Sequence, residues 1–547
     1  MQDIYDKIMT LAKRRGYLYP SYEIYGGVAG FYDYGPLGSL LKNNIENLWR
    51  SFFLFKDSCV EINTPTVTLH DVLDASGHVN EFTDLTVYCT KCKKPYKVED
   101  IVEENVTVEK AVKENMIKCP ICNETLKDPY LVNLMFSTTI GENRKAFLRP
   151  ETAQGIFTNF HLLYRYNREK LPFGVIQIGR GYRNEISPRQ GIIRLREFSM
   201  AEAEIFFDPE NKTHPGFKNV EDKKLYLYDN EKEFKATLKE TVDKNIVNNE
   251  ALAYYMYLTQ DFLLSLGINP EKFRFRKHAS DELAHYATEC WDAELYSERF
   301  GWVECVGIAD RSAYDLNAHI ISSGVDMYAQ RKYDKPREVI RKKIVPKMNI
   351  MGPLFKDKAG MIKKQLETME VKNTEKISVI IEEETIEIPK QCYEIVEIKE
   401  KLTGEKFIPH VIEPSYGIDR ILYFILEHNY SEEEKKGEIY RILRLNPRIA
   451  PIKVGVFPLT NDRKLVDFAL RIDKELRNKG IVTYYDDSGT IGRRYARMDE
   501  IGTPFCITVD YDTLKDNTVT IRERDTTDQI RKKIEEVSGF IKDKTAF

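Results

Sequence analysis

Residues 173–202 constrain this chain more than any other stretch. Phe173–Arg183 (FGVIQIGRGYR) reads as a strand, 187–191 (SPRQG) as a turn, and the residues after it as a returning strand. Alternation puts Gln177, Gly179, Gly181, Arg183 and Glu185 on one face of the first strand. It puts Arg194, Arg196, Phe198, Met200 and Glu202 on one face of the second. If the two faces coincide, the hairpin is a floor with three arginines, an aromatic ring and acidic ends. The two glycines on that face leave room for a flat ligand or a close backbone approach. Arginine suits phosphate and phenylalanine suits a base, so the floor fits a nucleoside triphosphate. A surface hairpin laced with arginine–carboxylate pairs would carry the same residues.

Bulk properties bound the setting of that hairpin. A chain of 547 residues suggests about three to four domains. With 42% hydrophobic and 31% charged residues, each can bury an ordinary core. The net charge of −4 argues against affinity based mainly on phosphate neutralisation, so any RNA contact must come from local basic patches. No apolar run approaches membrane-spanning length, and the first residues lack a signal-peptide pattern. Nine cysteines, an odd number without a secretion signal, point to the reducing cytoplasm.

Pro36 opens a helix whose apolar positions are Leu37, Leu40, Leu41, Ile45, Leu48, Trp49, Phe52 and Phe53. A strand closed by Pro65 follows at 60–65. Such a helix serves equally as a dimer surface or as a helix packed inside its own domain. Cys89-x-x-Cys92 and Cys119-x-x-Cys122 are spaced like a zinc ribbon, with four unrelated thiols as the alternative. Residues 210–290 read as mostly helical, with 251–266 the clearest helix. The stretch 325–405 mixes helix with a strand-like 376–389, and 431–438 (SEEEKKGE) reads as a solvated loop or helix end. The last hundred residues alternate strands at 453–457, 481–485, 506–509 and 518–522 with helices at 462–478, 493–500 and 525–537. That order implies a mostly parallel α/β module.

Arg183-Asn184-Glu185, the turn and Arg194-Leu195-Arg196-Glu197-Phe198 resemble motif 2 of class II aminoacyl-tRNA synthetases. Glu413-Pro414-Ser415-Tyr416-Gly417-Ile418-Asp419-Arg420 resembles motif 3, and the helix leading to Pro65 resembles motif 1. The closer resemblance is to glycyl-tRNA synthetases of the archaeal and eukaryotic homodimeric type. It is carried by 26–38, 149–155, 183–189, Ala284-His285-Tyr286, 291–294 and 413–417, in that order over nearly the whole chain.

The resemblance implies an α/β multidomain protein, with an antiparallel class II catalytic sheet flanked by helices and a C-terminal mixed α/β anticodon-binding domain. The core would occupy 1–88, 131–324 and 406–445. A zinc ribbon would interrupt it at 89–130, a helical insertion at 210–290 and an acceptor-stem-contacting insertion at 325–405. The anticodon-binding domain would span 446–547.

The resemblance also implies roles. Arg183, Arg420 and Glu304 would be catalytic: the arginines on phosphate, Glu304 on magnesium. ATP would lie against Arg183, Asn184, Glu185, Ile193, Arg194, Leu195, Arg196, Glu197, Phe198, Glu304, Cys305, Gly417, Ile418, Asp419 and Arg420. Glycine would be held by Glu151, Glu202, Glu413, Pro414 and Ser415, with Arg311 helping to shape the pocket or pairing structurally with Asp310. Arg493, Arg494 and Arg497 would form a basic patch for the anticodon. Cys89, Cys92, Cys119 and Cys122 would hold structural zinc. The expected partners are tRNA(Gly), glycine, ATP and a second copy of the chain, with no membrane. A synthetase for threonine, proline or histidine is the nearer rival, and a non-catalytic relative the more distant one.

Overall fold

The computed structural model of the chain describes residues 3–102, 106–188, 190–229, 231–279, 282–284, 287–369, 377–381, 384–435 and 437–546. Arg189, His285 and Tyr286 of the family segments lie outside the described residues, as does Lys376. The chain forms two compact units, one of Met1–Met327 with Ile408–Phe547, the other of Tyr328–Phe407.

The first unit is organised by a nine-stranded sheet. In chain order its strands are β1 (Val60–Glu61), β2 (Phe173–Tyr182), β3 (Glu197–Phe207), β4 (Lys224–Asp229), β5 (Lys232–Thr237), β6 (Phe273–Lys277), β7 (Glu289–Ser297), β8 (Gly301–Ser312) and β9 (His410–Gly417). Across the sheet they run β5-β4-β6-β7-β8-β9-β3-β2-β1. Pairing is antiparallel except at β1–β2 and β4–β6. The segment 210–290 is therefore not a mostly helical insertion. Its helix α2 (Glu250–Ser265) forms as expected, but β4, β5 and β6 extend the main sheet. The alternation of Leu225 and Leu227, both buried, with more exposed neighbours is the period-two signal that marks β4.

Helix α1 (Pro36–Ser51) begins on Pro36, whose missing N–H falls where a helix has no acceptor for it. It buries Leu41, Ile45, Leu48 and Trp49, and Trp49 and Phe53 pack edge-on against Tyr416 of β9. Each such side chain contributes about 2 kcal/mol of burial. The apolar stripe thus packs inside its own domain. The strand expected at 60–65 shortens to Val60–Glu61, although the Ile62 amide still donates to the Ile176 carbonyl. Helix α3 (Ile418–His428) leaves β9 directly and buries Ile418, Ile421, Leu422 and Ile425.

The expected loop at 431–438 is a hairpin of Tyr430–Lys435 and Glu438–Leu443, turning at Gly437 with φ +80°. The C-terminal module has strand order Thr483–Tyr485, Val454–Pro458, Phe505–Val509, Thr518–Glu523, Gln529–Lys533. Its first three strands are parallel and the last two antiparallel, so the sheet is mixed rather than mostly parallel. The helix expected at 525–537 is a strand, Gln529–Lys533, followed by a helix from Ile534. Thr527 at φ +62° closes a hairpin there, which charge-rich composition alone does not signal. In the second unit a two-stranded ribbon, Ala329–Pro346 with Tyr393–Phe407, leads to a small core around Ile344, Met351, Ile362 and Leu366.

Candidate active site

The register of β2 and β3 pairs Gly181 with Phe198, Gly179 with Met200 and Gln177 with Glu202, so the two faces of the hairpin coincide. The returning strand starts at Glu197, because Gly191–Ile193 forms a 3-10 turn first. The glycines do not leave space for a ligand. A Cβ on Gly179 would meet the Arg149 guanidinium at 2.1 Å, and one on Gly181 the Phe198 ring at 2.6 Å. The chain's own side chains occupy the close approach.

Above this floor lies an open cleft with a cavity volume of about 120 Å³. It is lined by Arg183, Glu185, Ile193, Arg194, Leu195, Phe198, Glu304, Cys305, Gly417, Asp419 and Arg420 among the residues expected at ATP. Met200 of the expected floor and Tyr416 of the motif 3 segment join them, with Ile192 and Ser199, which the motif pattern alone did not single out. The Arg183 guanidinium lies 5.3 Å from the rings of both Phe82 and Phe198, and its buried Nε has no hydrogen-bond partner. It is a charged donor held in place with capacity to spare. Arg420 donates from Nε to the Ile193 carbonyl and from Nη1 to the Glu304 carbonyl, and its Nη1 is 3.6 Å from Glu304 Oε2. Glu304 itself is half-exposed, which leaves carboxylate oxygen free for a hard cation. Cys305 is buried, and burial pushes its thiol up, so it stays neutral.

Other expected ATP residues have structural work. Arg196 donates to the carbonyls of Glu185 and Ala29, tying the turn to the glycine-rich loop. Arg194 pairs with Glu185 at 3.1 Å and with Asp100 at 3.3 Å. Glu197 lies on the opposite face from Phe198 and pairs loosely with Arg180 at 3.7 Å. Asn184 is exposed and outside the cleft lining, with its amide bonded to the Leu134 carbonyl. Ile418 is fully buried in the core. Asp419, at the cleft's base, accepts from the Tyr34 hydroxyl and the Ser199 amide.

Deeper on the same sheet face is an acidic pocket. Glu202 of β3 lies opposite Ser415 of β9 and accepts from the Thr152 amide at 2.7 Å and the Ser415 hydroxyl at 2.8 Å. Glu151 accepts from Gln154 at 2.9 Å and sits 3.5 Å from His78. Glu413 pairs with Arg311 at 2.8 Å. Arg311 is 1% exposed and also binds Asp315 through two 2.8 Å hydrogen bonds, so its structural partner is Asp315 rather than Asp310. Asp310 pairs with Lys212 instead. Pro414 has strand parity opposite to Glu413 and Ser415, so it does not line this pocket. It has no N–H to donate, and the β3–β9 ladder breaks between Glu202–Ser415 and Ile205–Ile412.

The carboxylates are not equivalent. Burial and the charges of Glu413 and Glu151 push Glu202 up to about 7, against the lowering by Thr152 and Ser415. Burial acts likewise on Glu151, but His78 and Arg311 hold it well below the usual carboxylate range. Burial raises Glu413, opposed by Arg311. A buried pocket with this excess of acid attracts a small cation such as an ammonium.

The four expected metal ligands meet. Cys89, Cys92, Cys119 and Cys122 have Sγ atoms all within 4.8 Å of one another, with Cys89–Cys122 at 3.6 Å and Cys92–Cys119 at 3.8 Å. A tetrahedron with metal–sulfur bonds of about 2.3 Å has edges of about 3.8 Å, so the thiols fit zinc. The expected anticodon patch does not form as such. Arg494 is 2% exposed and donates to the carbonyls of Pro458, Asp487 and Gly489. Arg497 is bound to Asp486 and Ser488, and Arg493 is exposed.

Comparison with known proteins agrees with this geometry. A model of the tRNA synthetase class II core domain (G, H, P, S and T) matches residues 136–429, and one of an anticodon binding domain matches 453–544. The chain is 47% identical to the glycine–tRNA ligase of Methanothrix thermoacetophila over 99% of this chain and 97% of that one. It is 48% identical to those of Methanocaldococcus jannaschii, over 99% of both chains, and Archaeoglobus fulgidus, over 98% of this chain and 96% of that one. Among solved structures, a threonyl-tRNA synthetase RNA binding domain from Cryptosporidium parvum superposes with TM-score 0.54 at 16% identity, covering 99% of this chain and 98% of that one. A Giardia lamblia prolyl-tRNA synthetase with prolyl-adenylate gives 0.54 at 15%, covering 98% and 74%. These two speak to the fold alone. No described helix is long and apolar enough to cross a membrane. On full-length identity approaching one half, the chain belongs to the glycine–tRNA ligase family of class II tRNA synthetases.

Proposed function

We propose that this chain activates glycine with ATP and transfers it to the 3′ end of tRNA(Gly). The observation that carries the reading is the contiguity of two sites on one sheet face. Arg183, Arg420 and Glu304 line the nucleotide cleft, and Ser415 of that cleft bonds to Glu202 of the acidic pocket.

Glycine has no side chain to grip, so selectivity means holding its ammonium and leaving no space beyond it. Glu151, Glu202 and Glu413 supply the charge, and Arg311 and Ser415 fix their positions. Excluding larger amino acids by lack of space needs no editing domain. The glycine carboxylate attacks the α-phosphorus of ATP, and the bond to pyrophosphate breaks, giving glycyl-adenylate. The terminal ribose hydroxyl of the tRNA then attacks the adenylate carbonyl and AMP leaves. Arg183 and Arg420 stabilise charge on the phosphates, and catalysis is positioning and electrostatics rather than covalent chemistry. Glu304 would hold magnesium, which would offset negative charge on the phosphates.

The four thiolates would hold one structural zinc. The exposed Arg493 would meet the anticodon arm, with Arg497 beside it. The ribbon of the second unit, with exposed Lys332, Lys335, Arg337, Lys342 and Lys343, suits an acceptor-stem contact. The protein would act in the cytoplasm as a homodimer, for which exposed Ile24, Tyr25 and Phe55 offer apolar surface. Exchange of labelled pyrophosphate into ATP across a panel of amino acids tests the core of this reading. Exchange should require glycine, and a preference for threonine, proline or histidine would overturn it.

A further inference from the structure

Glu204 is absent from every role assigned above, yet among the described residues it is the acid whose two carboxylate oxygens are both buried without a hydrogen-bond partner. It is 0% exposed, and neither carboxylate oxygen has a hydrogen-bond partner of good geometry. On β2 it faces Val175, and two residues along its own strand lies Phe206, packed among Phe157, Phe160 and Phe173. Nothing apolar there can stabilise a charge. On the other side, the register through Glu202–Ser415 and Ile205–Ile412 sets Glu204 directly opposite Glu413. This is the point where Pro414 interrupts the ladder.

Two carboxylates facing each other across adjacent buried strands cannot both ionise. One keeps a proton, and the surroundings decide which. Glu413 has the Arg311 guanidinium at 2.8 Å, while the side chain that meets the Glu204 carboxyl is that of Glu413. Arg311 is shared with Asp315 and Glu151, so its charge is already committed. Glu202, the third acid near Glu204, is held by Thr152 and Ser415.

We infer that Glu204 is a positioning residue for amino-acid recognition, a permanently neutral carboxylic acid whose proton points to Glu413 and holds that carboxylate, ionised, toward the pocket. The inference rests on the glycine reading of that pocket. The directions of titration agree: burial and the Glu413 charge push Glu204 well above the usual range, and Glu204 in turn lowers Glu413. A neutral acid can be replaced by an amide, which also donates, but not by an apolar side chain of the same length. Here the role separates from plain space-filling.

Two variants and one spectrum test it. Glu204→Gln is expected to keep the glycine KM within about twofold of wild type. Glu204→Met, similar in volume, is expected to raise the glycine KM about tenfold or more while the ATP KM stays put, the size of effect of one lost hydrogen bond to a charged group. Infrared difference spectra of wild type minus Glu204→Gln near pH 8 should show a protonated carboxylic-acid carbonyl band. If that band is missing, or if Gln and Met behave alike, the inference is overturned. The spectrum does not depend on glycine being the substrate, so its failure is distinct from failure of the functional reading, which wild-type exchange tests.

Discussion

On the proposed reading, in which Glu202 holds the glycine ammonium, glycine capture is pH-dependent in a calculable way. In the free protein burial and its acidic neighbours hold it near 7 rather than at the ordinary 4.5. An ammonium ligand needs it ionised. Below pH 7 the ionised fraction falls about tenfold per pH unit, so kcat/KM for glycine should fall about tenfold per unit, or about 1.4 kcal/mol. Above pH 7 it should level off, and the ATP KM should not follow. The stability side has the opposite sense. A carboxyl whose folded pKa is raised favours the folded chain when protonated, so its stabilisation is complete below pH 4.5 and lost as pH rises through 7, about 3 kcal/mol in all. Glycine binding restores what ionisation removes, so the glycine-induced rise in Tm should be larger near pH 8 than near pH 6. Ser415→Ala removes a 2.8 Å hydrogen bond to the carboxylate and should move the kinetic midpoint up by about one pH unit. A glycine kcat/KM that is flat from pH 6 to 8, or a midpoint unmoved in Ser415→Ala, would refute the reasoning.

Other outcomes follow from the same geometry. Arg311→Met strands Asp315 and Glu413 without their cation and should lower stability by about 3–5 kcal/mol in chemical denaturation, more than a surface arginine would. Elemental analysis should find close to one zinc per chain, and Cys119→Ser should lose it together with the ribbon's protection from proteolysis. In the C-terminal module, Arg494→Ala should lower Tm, while Arg493→Ala should leave Tm alone and raise the KM for tRNA, an effect that weakens as salt rises.

Much of the site was legible because its chemistry is encoded at short range. The parity of Gly181, Phe198 and Glu202 follows from strand alternation, and the register bears it out. The cysteine pairs come together because each knuckle is local. What sequence pattern missed depends on long-range packing. The glycines at 179 and 181 look like ligand space until Arg149 and Phe198 arrive from elsewhere in the fold. Arg196 and Arg494 look like phosphate or RNA ligands, but backbone carbonyls of distant loops claim them. The sequence offers Asp310 as a structural partner for Arg311, but the turn from β8 into the helix that starts at Tyr314 brings Asp315 to it instead. The strands at 232–237 and 529–533 carry many charged residues, and their pairing partners make them strands.

The central claim is that glycine activated here is placed on tRNA. The direct measurement is aminoacylation of an unfractionated tRNA pool with labelled glycine, ATP and magnesium, with the charged species identified by sequence. The account predicts a labelled tRNA(Gly) and no other charged species. Exchange-competent protein that leaves tRNA(Gly) uncharged, or that charges a different tRNA, would contradict it.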